Sequence, residues 1–146
     1  MKRLLVKAEL VSLSKVLDFV RENAESAGFE QNSTSELLIA CEEIVVNIVS
    51  YGYEPGKKGE IEIIFRYSTE ESAVELTICD WGKPFDPLTV PPPDITKPIE
   101  EREPGGLGIH FVKSLMDKVS YRRERSSNIL TLIKKNSAAA GEKTLL

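Results

Sequence analysis

Seven of the chain's eight prolines fall between Pro84 and Pro104, and no other feature limits the fold so strongly. Proline lacks the amide proton and fixes φ, so this stretch can be neither a continuous helix nor a central strand. It is a long loop. Such a segment is uncommon inside a chain of 146 residues unless it acts as a lid, a binding loop or a disordered connection. The hydrophobic pattern is therefore read separately on its two sides.

On the N-terminal side, Leu4 to Val11 alternates and suits a first strand. Leu13, Val16, Leu17, Val20 and Ala24 then recur at helical spacing, with Ser12 or Ser14 as cap and Gly28 as stop. Ser33 and Glu36 stand at capping-box spacing, and Leu37, Leu38, Cys41, Ile44, Val45 and Ile48 carry a second helix to about Ser50. Glu60 to Tyr67 and Ala73 to Cys79 form a hairpin around the polar turn Thr69 to Ser72. On the C-terminal side a helix over Leu107 to Met116 precedes a closing hairpin, Lys118 to Arg123 with Asn128 to Lys134. No repeat is visible, and the residues after Asn136 have no periodic core face. This order predicts one domain over 1–136 and a flexible tail, 137–146. The fold class is α+β: a two-layer α/β sandwich, with helices on one face of a mostly antiparallel mixed sheet.

Charge and cysteine usage exclude several function classes. A net charge of −4 is the wrong sign for direct nucleic-acid binding. The run Arg122, Arg123, Arg125 is short and reads as a solvated strand edge or turn, with a partner-facing patch as the minority alternative. Cys41 and Cys79 each lie within apolar segments, which suits buried thiols in a reducing cytoplasm better than metal ligands or a disulfide. No uncharged apolar run is long enough to span a bilayer, and no signal peptide is visible. A cytoplasmic protein with no membrane contact is expected.

Three short segments can carry chemistry. Glu43 and Asn47 stand one helical turn apart, at the margin of the apolar stripe that contains Ile44 and Ile48. Asp80, at the end of an apolar strand, opens Asp80-Trp81-Gly82-Lys83-Pro84-Phe85. A buried carboxylate needs donors, a purine's exocyclic amine could supply one, and Gly82 would let a ligand approach the backbone. Gly105-Gly106-Leu107-Gly108 opens a helix, where bare backbone N–H groups and the helix dipole favour phosphate. Taken singly, each is as readily a surface pair, an ordinary turn or a helix start.

In this order, with a proline-rich loop between the second and third, the segments resemble the Bergerat-type ATP-binding fold of gyrase, Hsp90, histidine kinases and MutL. Glu43-Ile44-Val45-Val46-Asn47 matches that superfamily's first box, Asp80 to Phe85 its adenine box, and Gly105 to Gly108 its phosphate-binding glycine box. The short length and the continuation Ile109-His110-Phe111-Val112, then Leu115-Met116-Asp117, look most like bacterial anti-sigma-factor serine/threonine kinases. The resemblance implies ATP and Mg2+ as cofactors, with Asn47 holding the metal, Glu43 as general base and Asp80 recognising adenine. Gly82, Phe85, Gly105, Gly106, Leu107 and Gly108 would also meet the nucleotide, and Tyr51 could reach it.

The partners implied are a small anti-sigma-factor antagonist protein, phosphorylated on serine, and a sigma factor; a homodimer is also implied. Two positions depart from the pattern. Relatives often carry His after the asparagine helix, where this chain has Tyr51-Gly52, and Gly-Thr near the last strand, where it has Ser127-Asn128. His110, the sole histidine, sits behind the glycine turn and suits a helix-surface or packing role. The alternative function is a nucleotide-gated regulatory binding protein without phosphoryl transfer. A histidine kinase's catalytic domain ranks last, because the chain has no room for a histidine-bearing dimerisation helix.

Overall fold

The computed structural model describes residues 1–89, 96, 98 and 106–136. Five strands form one sheet: β1 (Lys2–Lys7), β2 (Glu60–Ser68), β3 (Ala73–Asp80), β4 (Lys118–Glu124) and β5 (Ser127–Lys135), ordered β1-β2-β3-β5-β4. Every ladder is antiparallel, so the expected mostly antiparallel sheet contains no parallel pair among the described residues. The helices are α1 (Leu13–Ser26), α2 (Gln31–Asn47) and α3 (Gly106–Leu115).

Alternation along the strands sets the two layers. Ile61, Ile63 and Phe65 of β2, Leu76 and Ile78 of β3, and Leu130 and Leu132 of β5 are buried in the same core as Val16, Val20, Leu37, Ile44, Ile109 and Val112 from the helices. Each of these side chains contributes roughly 1.5–3 kcal/mol when fully buried. Neighbouring strand residues such as Glu62, Ile64 and Thr77 remain half-buried on the opposite face. Lys134 of β5 joins the layers: its ammonium donates to the Leu115 carbonyl at 2.8 Å and to the Glu36 carboxylate.

Several expected details differ. The first strand ends at Lys7, and Leu10–Ser12 is a 3-10 turn in which Val11 is exposed. Helix α1 stops as expected, with Gly28 in the left-handed region at φ 78°. Helix α2 starts earlier than the capping box implied, with Glu30 at its N-cap. Ser33 is already inside the helix and buried, and Glu36 is taken by Lys134, so tertiary packing has overridden the local motif. The end near Ser50 is also special, because Ile48–Gly52 winds as one π turn. Such wide turns concentrate at functional sites.

Past β3, Asp86 accepts from the Leu88 amide at 2.9 Å and so caps a short 3-10 turn, Pro87–Thr89. Lys113 of α3 donates to the Leu88 carbonyl at 3.1 Å. The rest of the proline-rich loop (Thr96 and Pro98 excepted), Gly105 and the 137–146 tail lie outside the described residues.

Candidate nucleotide site

A cavity of about 700 Å3 opens between the C-terminal end of α2, the ends of β3 and β5, and the start of α3. Its floor is apolar: Ile44, Ile48, Ile78, Ile109 and Leu130. Asn47, Tyr51, Asp80 and Phe85, all singled out in the sequence, line it together. An apolar slot with a few convergent polar groups is the usual form of a small-molecule site.

Asp80 reaches the cavity because the core-facing alternation of β3 runs Leu76, Ile78, Asp80. It is only 5% exposed. Its Oδ1 accepts from the Gly82 amide at 2.9 Å and from Asn128 Nδ2 at 2.9 Å. No hydrogen bond falls on Oδ2 among the described residues. Gly82 is required for space rather than for φ: a methyl group there would collide with the Gly52 carbonyl, which accepts from the Lys83 amide at 2.8 Å. The π turn and the loop after β3 are therefore one packed unit.

Tyr53 extends that unit. Its hydroxyl accepts from the Trp81 amide at 2.8 Å and donates to the Glu60 carbonyl at 2.7 Å, and its ring occupies the space that a side chain at Gly59 would need. Burial pushes the phenol pKa above its ordinary value; the neighbouring Asp80 and Glu60 charges push the same way, and the Trp81 amide opposes them.

Asn47 is a different case. Its amide nitrogen is the one buried side-chain polar atom left without a partner among the described residues. Buried polar groups are ordinarily satisfied, so this donor lacks the acceptor that a ligand oxygen could supply. Glu43, half-buried one turn earlier, does not itself line the cavity. Its carboxylate lies against the first turn of α3, so close to Gly108 that any side chain at 108 would strike it. Gly106 and Leu107 open that helix, whose free N–H groups lie at this end. Among the described residues no cluster of three or more His, Cys, Asp or Glu could hold a metal alone. A cation at Asn47 would thus arrive with phosphate oxygens, which suits magnesium. His110 is exposed on α3.

Sequence reasoning missed Asn128 and Arg123. Asn128 stands directly opposite Asp80 in the β3–β5 ladder, and Arg123 directly opposite Asn128 in the β4–β5 ladder. Arg123 donates to the Gly82 carbonyl at 2.9 Å, so part of the short basic run holds the site loop. A signal for Asn128 was present: in the alternation Asn128, Leu130, Leu132 a polar residue occupies a core-facing position.

A sequence profile described as the histidine kinase-like ATPase domain matches residues 6–134. The serine/threonine-protein kinase BtrW of Bordetella bronchiseptica is 32% identical over 96 residues, 66% of either chain. The serine-protein kinase RsbW of Bacillus thuringiensis is 30% identical over 128 residues, 85% of this chain and 77% of that protein. Among solved structures, the RsbU and RsbW domains of a Mycobacterium tuberculosis protein superpose with a TM-score of 0.62 at 14% identity. That match covers 92% of this chain and 32% of the mycobacterial one. The histidine kinase domain of the Erythrobacter litoralis blue-light activated histidine kinase superposes with a TM-score of 0.54 at 10% identity, over 87% of this chain and 60% of its own. At these identities the two structures speak for the fold alone.

Proposed function

The chain belongs to the histidine kinase-like ATPase family, among relatives of the RsbW serine-protein kinases, and from that membership we propose that it phosphorylates a serine of a small antagonist protein and holds a sigma factor in check. ATP is the phosphoryl donor and Mg2+ its metal. The supporting observation is that Asn47 and Asp80, from separate elements, line one cavity.

In this reading Asp80 accepts the adenine amine, and the apolar floor with Phe85 and Tyr51 takes the ring. Asn47 would hold the metal through its side-chain oxygen, and the metal would supply charge neutralisation at the phosphates. The glycine turn, Gly105 to Gly108, offers backbone N–H groups to the phosphate oxygens. Glu43 stands against that turn. It accepts the proton as the serine Oγ bonds to the terminal phosphorus and the bond to ADP breaks. The domain over 1–136 does this as a homodimer in the cytoplasm. Among the described residues no helix is long and apolar enough to cross a membrane.

Incubation with labelled ATP, Mg2+ and the antagonist protein tests the reading, with phosphoserine on the antagonist as the expected product. Nucleotide binding without phosphoserine would leave only a nucleotide-gated binding protein.

A further inference from the structure

The side-chain amide of Asn128 has two donors and two acceptor positions, and all four are used. Nδ2 donates to Asp80 Oδ1 at 2.9 Å and to the Lys83 carbonyl at 2.8 Å. Oδ1 accepts from the Tyr121 hydroxyl at 2.5 Å and from the Phe85 amide at 3.4 Å. Because a carboxylate and a carbonyl can only accept, and an amide N–H only donates, this network admits a single orientation of the group. Asn128 is itself 6% exposed. It lines the cavity but has no hydrogen-bonding capacity left to offer a ligand.

We propose that Asn128 is a positioning residue that sets the purine selectivity of this site by fixing which oxygen of Asp80 meets the base. The inference rests on the reading of Asp80 as the adenine acceptor. With the Gly82 amide and Asn128 Nδ2 both on Oδ1, the carboxylate cannot turn about its last bond without losing two hydrogen bonds. Oδ2 is left as the acceptor for a ligand. A held, acceptor-only oxygen rewards a 6-amino purine and opposes a 6-oxo purine, whose carbonyl would face it. The same amide, through Lys83 and Phe85, holds the loop that walls the cavity, so base recognition and loop position depend on one side chain.

The experiment compares affinities for ATP and ITP, which differ at the 6-position, by displacement of a fluorescent nucleotide from the full chain. Melting temperature is measured alongside. The wild type should prefer ATP. In Asn128→Leu the ATP affinity should fall about tenfold or more and ITP affinity much less, bringing the ratio toward one. Tyr121→Phe, which removes one hydrogen bond to the Asn128 oxygen, should lower the ratio roughly threefold in a normally folded protein. It decides the matter if Asn128→Leu does not fold. A general loss of packing would weaken both nucleotides equally and leave the ratio unchanged, and that result overturns the proposal. Asp80→Asn separates the two levels. If it weakens ATP binding while the Asn128 and Tyr121 variants keep the wild-type ratio, the positioning role alone is wrong. If Asp80→Asn leaves ATP affinity intact, the adenine reading falls and the proposal falls with it.

Discussion

Glu43 and Asn47 share one side of α2 and differ in their surroundings: the carboxylate lies against Gly108, whereas Asn47 lines the cavity and its buried amide nitrogen is unpartnered among the described residues. The two substitutions should therefore separate chemistry from binding. Glu43→Ala should keep Mg2+-ATP affinity and lose about 10²–10⁴-fold in phosphoryl transfer, since a base acts only as the attacking hydroxyl gives up its proton. Asn47→Ala should lose Mg2+-dependent affinity and rate together. Fluorescent-nucleotide titration at fixed Mg2+ and single-turnover phosphoserine detection measure the two quantities, and a wild-type rate in Glu43→Ala would remove it as the base. At this scale the sequence was informative wherever a motif was local. Glu43 and Asn47 could be picked out by their helical spacing and Asp80 by its place at the end of an apolar strand, but Asn128 could not be paired with Asp80. Their partnership depends on the β3–β5 register, 48 positions apart along the chain.

The elements meet at two glycines that act in different ways. A methyl group at Gly82 would press on the Gly52 carbonyl, which is backbone and cannot swing aside, whereas one at Gly108 would meet only the end of the Glu43 side chain. Gly82→Ala should thus separate the loop from the π turn, lowering the melting temperature by several degrees and weakening ATP binding; overpacking of this kind typically costs about 1–3 kcal/mol. Gly108→Ala should melt near the wild type but transfer phosphate more slowly, because Glu43 must move. Equal thermal shifts in the two variants would contradict this. Helix and hairpin cores were legible because their apolar periods are long and clean. Two features were not: the capping box, whose Glu36 is taken by Lys134, and the π turn, whose last residue, Gly52, bonds the distant Lys83 amide.

For the whole molecule, alkaline pH tests how tightly the layers close. Burial, with a smaller push from Glu42, raises the Cys41 pKa from 9.0 to about 12. The unfolded chain gives up this proton first, so the stabilising effect is complete below about pH 9 and is lost as pH climbs toward about 12. At full ionisation the loss approaches about 4 kcal/mol. Burial likewise raises Cys79 and Tyr53, which steepens the same limb. Urea midpoints should fall between pH 9 and 11, and fall less in Cys41→Ala; parallel curves would show that the thiol does not govern the limb. The strand order also bears on timescale. β3 lies in the middle of the sheet, paired along its length to β2 and β5, and Asp80 is its last residue. Amides in such a strand exchange with solvent deuterium through global opening, whereas loop amides exchange through local fluctuation. If Asp80 holds the base as proposed, nucleotide exchange through loop fluctuation is uncoupled from the much slower opening of the sheet that carries Asp80.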